Sequence, residues 1–335
     1  MRKPLLLVAA MVLLLSSSAT ATRPLADPER SAAWRAVAQR ALDRLDAIGT
    51  GTQQASTLAY GAQATAWLSP TGWADPAALG YLTRLYATQN PDGGYGLNAV
   101  YDAHQDGTEN PATTTYVVSS VAVGEVLLDA YRAGAVSVPR AKVQQQFDLV
   151  ATAPRIDTAA GRCIAYSRNV NDAKPGLCVH NVSAGAAAFL MEAGEDGFAV
   201  PWWLVQGVVK RELSIYNQNT RFWPYKDVPS EQQDADHNAY SIESMYSLAY
   251  PVAYSAAYVA MSAELDADPR TPMVYMRLAG LPPAPTATSG DTTVWCLLGD
   301  QWLDEADAFT TANWTKPGRL SQVAHLAARA ARACA

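Results

Sequence analysis

Three segments of the chain repeat one layout, and this repeat constrains the fold more than any single residue does. Each segment has an amphipathic helix, a short loop carrying a tyrosine (Tyr95, Tyr166 or Tyr225), a polar loop and a second helix. A repeat of roughly 60 residues is typical of arrays of helical hairpins. We therefore predict an all-α fold in which the hairpins form a complete or incomplete ring. Short loop strands should lie on one face of that ring.

The second helix of each repeat is predicted to lie inside the ring. The segments 112–133, 182–193 and 238–263 are rich in alanine and apolar nearly all round, as expected for helices that pack on both sides. The three helix starts are expected at 110–114, 179–183 and 236–241. Two of these starts contain a His-Asn pair, so the repeated polar residues should converge at one end of the ring. Strand patterns are weak throughout.

Proline and aspartate mark the beginnings of the outer helices. Asp27-Pro28 and Asp75-Pro76 combine an N-cap with a proline at the first helical position, and Pro139 and Pro201 begin two more helices. Gly49 is expected to end the first helix. The predicted buried stripes of the four helices are Trp34, Val37, Ala41, Leu45 and Ile48; Leu79, Leu82, Leu85 and Tyr86; Val143, Phe147 and Val150; and Trp203, Leu204 and Val208.

The termini differ in composition from the predicted ring. Residues 1–21 combine Arg2 and Lys3, a short apolar run and an Ala-x-Ala end, the pattern of a secretory signal peptide. We assign 22–280 to the helical ring, 281–290 to a linker or strap rich in proline and threonine, and 291–335 to a C-terminal helical segment closing the ring. The mature protein is expected to be secreted and monomeric, with no membrane contact after cleavage.

The charge of the chain disfavours nucleic acid as a partner. The full chain has a net charge of −6, with 25 basic and 31 acidic residues; loss of Arg2 and Lys3 makes the charge −8. Nucleic-acid binding requires clustered Lys and Arg. The expected partner is an extracellular glycan or a small molecule.

Four cysteines fit an oxidising compartment. Three pairings are possible, of which we favour Cys163–Cys178 with Cys296–Cys334. No Cys-x-x-Cys spacing supports a zinc site. Asp102, His104 and Asp106 alternate in one loop and Asp234 and Asp236 in another, but neither has the further ligands and glycine of a calcium loop. We predict no metal and no cofactor.

One loop also resembles a known family. Gln89-Asn90-Pro91-Asp92-Gly93-Gly94-Tyr95 is similar to the Gln…Asp-Gly-x-Trp repeat of squalene–hopene cyclases and prenyltransferase-like α/α toroids, with Tyr95 at the aromatic position. The resemblance covers residues 50–265 as architecture. It implies an α/α toroid, a fold shared by secreted polysaccharide lyases, hydrolases and uronyl epimerases. Asp234-Ala235-Asp236-His237 matches three of four positions of the cyclase acid motif, which would make Asp236 the acid.

The candidate catalytic residues are His180, Asp236, His237 and Tyr166. Histidine transfers protons near neutral pH, although each of these histidines could instead cap a helix or bind a neighbouring loop. The candidate substrate-binding residues are Tyr95, Asp102, His104, Arg168, Asn181, Trp223, Tyr225, Asn238 and Tyr240. Aromatic side chains with a polar tip suit sugar stacking, whereas for Asn181 or Asn238 taken alone the N-cap role is the favoured interpretation.

Three classes of function remain open. The first is a carbohydrate-active enzyme. As a lyase or epimerase it would use His180, His237 or a tyrosinate as base, and Asn181 or Asn238 with Arg168 would stabilise the anion. As a hydrolase it would use Asp102 or Glu109 opposite Asp236. The second is a terpenoid-cyclase-like protein with Asp236 as acid. The third is a non-catalytic extracellular glycan-binding or scaffold protein.

Overall fold

The described residues form paired helices with a small hairpin of strands. A computed structural model describes residues 27–51, 54–220, 222–227, 233–248 and 315–335. The α-helices in this part of the chain are α1 Pro28–Ile48, α2 Gln54–Leu68, α3 Pro76–Ala87, α4 Val117–Arg132, α5 Arg140–Ala151, α6 His180–Gly194, α7 Trp202–Ile215, α8 Ala235–Ser247 and α9 Pro317–Cys334. Two 3-10 turns, Gly72–Ala74 and Val170–Ala173, and the antiparallel strands β1 Arg155–Thr158 and β2 Gly161–Ile164 complete the set.

Outer and inner helices alternate along the chain. The outer helices α1, α3, α5 and α7 bury mainly one face, while the inner helices α2, α4 and α6 are buried nearly all round. Consecutive inner helices pack on one another, α2 on α4, α4 on α6 and α6 on α8. The predicted inner segments are therefore confirmed where the structure describes them.

The C-terminal helix packs against the first hairpin. Helix α9 contacts both α1 and α2 extensively, and Ser31 Oγ donates to the carbonyl of Ala331 at 2.8 Å. The amide of Asp27 donates to the carbonyl of Cys334 at 3.0 Å. The first and last helices of the described chain are thus neighbours, and α9 takes an inner position.

The inner helices run in the same direction from one common face. Hydrogen bonds and ion pairs join corresponding heights of different inner helices: Trp67 with Asp129, Arg132 with Glu192, Tyr240 with Gln322, and Glu243 with Arg329. The positive ends of their dipoles therefore meet at one face, where anionic groups are stabilised. We call this face the mouth, because α2, α4, α6, α8 and α9 begin there, and the opposite end the floor.

The repeated tyrosine loops join neighbouring repeats at the mouth. The carbonyl of Tyr95 accepts from the amide of Tyr116, that of Tyr166 from Val117, and that of Tyr225 from His180, at 2.9, 2.9 and 3.1 Å. Each repeated tyrosine thus binds the start of an inner helix through its backbone. The predicted convergence of these loops on one face is confirmed.

The helix ends were predicted with mixed success. Asp27 and Asp75 cap α1 and α3 as expected. Inner helix α4 was expected to start at 110–114 but begins at Val117. The preceding residues Asn110 and Tyr116 instead form isolated strand-like pairs with Tyr101 and Ser167. The expected burial of Trp203 was wrong: it is 47% exposed. In α3, Ala78 and Tyr81 are buried, whereas Leu79 and Tyr86 are only half-buried.

The Cys163–Cys178 disulfide is confirmed, with the Cα atoms 5.9 Å apart. Cys334 is also disulfide-bonded, and its predicted partner Cys296 lies outside the described residues. The predicted signal segment 1–21 and the strap 281–290 lie outside them as well. Within the described helices, none is long and apolar enough to cross a bilayer.

Candidate functional site

A cavity of about 810 Å³ lies between the inner helices. Its described lining comes from α2, α4, α6, α8 and α9, together with loop residues at the mouth. Five of these residues are acidic and four are basic: Glu125, Asp129, Glu192, Asp236 and Glu243, against Arg132, Lys316, Arg319 and Arg329. Tyr60, Trp67, Tyr166 and Tyr240 add aromatic surface. Concave sites with a few convergent polar groups are where proteins bind small ligands and polymer segments.

Asp236 lies in the first turn of α8, at the mouth of this cavity. Its side chain is almost completely buried, and Arg319 Nη1 donates to its Oδ2 at 2.6 Å. No described residue hydrogen-bonds its Oδ1. The Arg319 guanidinium and the positive end of the α8 dipole both lie beside this carboxylate. Asp236 is therefore suited to act as a base or nucleophile.

His237 forms a dyad with the N-cap residue of the same helix. Asp234 Oδ1 accepts from the His237 amide at 2.9 Å and lies 2.8 Å from Nδ1 of the ring. The ring packs edge-on against Tyr225 at 4.9 Å between centroids. No described residue hydrogen-bonds the other ring nitrogen, Nε2, and His237 lines the cavity. A ring oriented in this way can exchange a proton with a ligand through Nε2.

Three further predicted residues, Tyr166, Asn181 and Tyr240, line the same cavity. Burial raises the pKa of Tyr166 far above its usual value, so its hydroxyl stays protonated. The Oδ1 of Asn181 is buried and has no hydrogen-bond partner in the part of the chain that the structure describes. Tyr240 accepts a hydrogen bond from Gln322 at 3.1 Å. These side chains offer donors and acceptors next to Asp236 and His237.

The N-cap interpretation of the two asparagines was wrong. Asn181 and Asn238 are inside α6 and α8, whose N-cap residues are Val179 and Asp234. Asn238 instead accepts a hydrogen bond from the amide of Trp223 at 3.3 Å, which ties the loop to the helix.

Sequence reasoning missed the acidic residues deeper in the cavity. Glu125 and Asp129 are one turn apart on α4, while Glu192 and Glu243 are on α6 and α8. In α4 and α6 these charges interrupt mostly apolar sequences, whereas Glu243 is one of several polar residues in α8. An isolated charge in a mostly apolar helix must face either a partner or a cavity. That signal was present in the sequence.

His180 lies outside the cavity, in a network of buried charges. Its ring is fully buried, with Nδ1 3.2 Å from Glu212 Oε1 and Nε2 3.1 Å from Asp227 Oδ1. Arg211 also donates to Asp227. Burial alone would lower the pKa of His180, but Glu212 and Asp227 outweigh it and raise the pKa to about 9. The imidazolium holds together α6, α7 and the loop that follows α7, which contains Asp227.

The same histidine belongs to a group with metal-ligand geometry, which its chemistry opposes. One ligand atom each of Cys178, His180 and Glu212 lie within 4.8 Å of one another. The sulfur of Cys178 is in a disulfide, so it is no thiolate ligand. A protonated His180 offers no lone pair to a metal.

His104 is buried beside Asp172 in the loop layer above the inner helices. Its Nε2 lies 3.8 Å from Asp172 Oδ1, and within the described ranges neither ring nitrogen has a hydrogen-bond partner. Burial lowers the pKa of His104, although Asp172 opposes this. The ring packs edge-on against Tyr166, which lines the cavity, with centroids 6.0 Å apart.

The remaining predicted binding residues stabilise loops. Asp102 accepts from the amides of His104, Asp106 and Gly107, and Arg168 binds the carbonyl of Leu149 and the carboxylate of Asp92. Neither Asp102 nor the exposed Glu109 lines the cavity, so the predicted pairing of either with Asp236 has no support in the geometry.

The aromatic members of that set are also structural. Tyr95 and Trp223 are 0% and 1% exposed, and Trp223 Nε1 donates to the carbonyl of Glu212. Tyr225 is in contact with His237 but does not line the cavity. Matching positions in the repeat thus reflect loop packing more than ligand contact.

The architecture has counterparts among solved structures. The α-1,6-mannanase GH76A of Salegentibacter sp. HEL1_6 superposes with a TM-score of 0.53 at 13% identity, over 89% of this chain and 99% of that one. Two inactive variants of that enzyme, in complex with α-1,6-mannotriose and α-1,6-mannotetrose, give a TM-score of 0.52 at 13% and 12% identity. They cover 89% of this chain and 99% and 98% of theirs.

The chain folds as an α/α toroid. At this level of identity the likeness establishes the architecture alone. Comparisons with protein-family models and with curated proteins give no match. The reaction therefore has to be argued from the residues of the cavity.

Proposed function

We propose that the protein is a secreted glycoside hydrolase acting on a neutral extracellular glycan inside the central cavity of the toroid. The observation that carries this proposal is Asp236: a buried carboxylate at the mouth, paired with Arg319 through one oxygen, while no described residue hydrogen-bonds the other. Asp236 would take a proton from water or attack the sugar directly, while a second carboxylic acid protonates the leaving oxygen. Water is thereby added across the glycosidic bond.

The second carboxyl group would belong to one of the acidic residues that line the cavity further from the mouth. Glu125 and Glu243 are at matching positions along α4 and α8, closer in height to Asp236 than Asp129 and Glu192 are. His237 and Asn181, which line the cavity near its mouth, would bind hydroxyl groups of the substrate. This division of roles is typical of sites in which two carboxyl groups flank one glycosidic bond.

The charge of the cavity favours a neutral glycan over a uronate polymer. Three of the four basic lining residues, Arg132, Arg319 and Arg329, each form an ion pair with a carboxylate of the cavity. A uronate carboxylate would compete with these partners and meet five acidic groups. The raised pKa of Tyr166 also disfavours a tyrosinate base.

The structural neighbours suggest the first substrate to test. The GH76A structures contain α-1,6-mannotriose and α-1,6-mannotetrose, and the bound variants were inactivated by replacing two consecutive aspartates. This chain has no Asp-Asp pair anywhere in its 335 residues. If it cleaves a similar glycan, its carboxyl groups must come from separate positions, such as Asp236 with Glu125 or Glu243.

The alternatives have weaker support. The terpenoid-cyclase-like mechanism needs a free carboxylic acid at Asp236 and an apolar cavity, whereas Asp236 is paired with Arg319 and nine of the described lining residues are charged. A lyase or epimerase is favoured by one observation, the Asp234–His237 dyad. A binding or scaffold protein would use the same cavity without turnover.

Release of reducing sugar from α-1,6-mannan and a panel of other neutral glycans tests the proposal. We expect Asp236→Asn to lower turnover at least about 100-fold while the melting temperature changes little. Asp75→Asn is the matched control, because Asp75 caps an outer helix and asparagine caps equally well. Full activity of Asp236→Asn would refute the role of Asp236, and an unsaturated product would indicate a lyase.

A further inference from the structure

The cavity has a second polar and aromatic group far from Asp236. Trp67 is the penultimate residue of α2, and Asp129 lies in the last turn of α4. Both line the same cavity as Asp236, the second residue of α8. With a rise of about 1.5 Å per residue and a common starting face, the two groups differ in height by roughly 18 Å. The cavity thus extends from mouth to floor.

Three rings form a continuous aromatic surface toward this floor. His325 lies between Tyr60 and Trp67, with centroids 4.9 and 5.0 Å apart and planes inclined by 40° and 33°. All three residues line the cavity. Arg332, which does not line it, lies 5.1 Å from the centre of the Trp67 ring. The indole is therefore supported from outside the cavity.

A carboxylate adjoins this surface. Trp67 Nε1 donates to Asp129 Oδ2 at 3.0 Å, which fixes both the indole and the carboxylate. The Oδ1 of Asp129 makes no hydrogen bond with a described residue. An aromatic ring beside a fixed acceptor suits a sugar, because the apolar face of the sugar packs on the ring while its hydroxyls donate to the carboxylate.

We infer that Tyr60, Trp67, His325 and Asp129 form a sugar-binding subsite at the floor of the cavity, which receives the terminal unit of a neutral glycan chain. This inference rests on the proposed function. The glycan then enters end-on along the axis of the ring, and Asp236 near the mouth meets a linkage several units from that terminus. The reaction would release short oligosaccharides from a chain end.

Binding in an inactive background tests the subsite separately from catalysis. In Asp236→Asn, we expect Trp67→Ala to raise the Kd for α-1,6-mannotriose at least tenfold and Asp129→Asn to raise it several-fold, as measured by titration calorimetry. Trp203→Ala is the matched control, since Trp203 is a half-exposed tryptophan of outer helix α7 that also contacts guanidinium groups. It should leave the Kd unchanged.

The outcomes distinguish the two proposals. Suppose that the wild type hydrolyses the glycan, while Trp67→Ala keeps its melting temperature and leaves the Kd unchanged. This result would overturn the subsite but not the proposed function. If binding depends on Trp67 but no glycan is hydrolysed, the subsite is supported and the proposed function is overturned. If Trp67→Ala does not fold, Asp129→Asn and Trp67→Phe decide: wild-type Kd values in both would overturn the subsite.

Discussion

Arg319 and Asp236 form an ion pair at the mouth of the cavity, with Nη1 2.6 Å from Oδ2. The pair connects α9 to the first turn of α8 through two residues that are 83 positions apart in sequence. Asp236 is 6% exposed in its side chain and Arg319 31%. One contact thus serves both the packing of α9 and the charge of the candidate catalytic carboxylate.

Removing the guanidinium should therefore cost stability as well as activity. We expect Arg319→Met to lower the free energy of unfolding by about 1.5–3 kcal/mol, because a buried carboxylate loses its charged hydrogen-bond donor. Denaturant unfolding measures the loss. In the double variant with Asp236→Asn the effect should be smaller than the sum of the two single effects. Strict additivity would mean that the pair contributes nothing.

The His180 network should make stability depend on pH in a defined window. The pKa of His180 is raised to about 9 from 6.5, so its contribution is fully present below about pH 6.5 and is lost as the pH rises through 9. The pKa of Asp227 is instead held below 3.8: burial opposes this, but His180 and Arg211 prevail. The contribution of Asp227 is thus present above about pH 4 and lost in stronger acid.

Melting curves between pH 4 and 10 check this prediction. The wild type should lose up to about 3 kcal/mol from His180 between pH 6.5 and 9, and His180→Gln should show a flatter profile over that range. An equal slope in both proteins would show that His180 is not charged in the folded state. Activity assays at one permissive pH separate this effect from any role in catalysis.

A close approach between two inner helices gives a third prediction. A Cβ added at Gly124 on α4 would lie 2.6 Å from the ring of Phe189 on α6, whose side chain is fully buried. Gly124→Ala should therefore destabilise the protein by about 1–3 kcal/mol. Gly80 in outer helix α3 has nothing within 4 Å of such a Cβ.

Thermal unfolding of the two alanine variants makes the comparison direct. Gly80→Ala should raise stability by up to about 1 kcal/mol, because alanine has the higher helix propensity in an exposed helix. A loss of stability in Gly80→Ala comparable to that in Gly124→Ala would contradict the assignment of inner and outer helices.

Periodicity and capping predicted the architecture, because both are local properties of the chain. Asp27 and Asp75 fix helix starts by hydrogen bonds to the next few residues, and the apolar inner segments follow from burial on all sides. The Cys163–Cys178 disulfide could also be predicted, since the two residues flank one short loop. The residues that line the cavity were harder to predict, because the lining depends on how separate inner helices are positioned relative to one another along the axis of the ring.

The repeat pattern does not predict the different environments of His180 and His237. Both precede an asparagine at the start of an inner helix, yet one ring lies in a buried ion network and the other lines the cavity. The difference comes from Glu212 and Asp227, which approach His180 from elements 32 and 47 residues away. Spacing within the repeat does not reveal such partners.

The hydrogen bond between the Asp27 amide and the Cys334 carbonyl has a consequence for engineering the chain. Because the two ends of the described helices touch, a short peptide could link them, and new termini could be opened in an exposed loop between an outer and an inner helix. Such a permuted chain would keep every inner helix in place, so the order of hairpins along the polypeptide could be changed without altering the cavity they enclose.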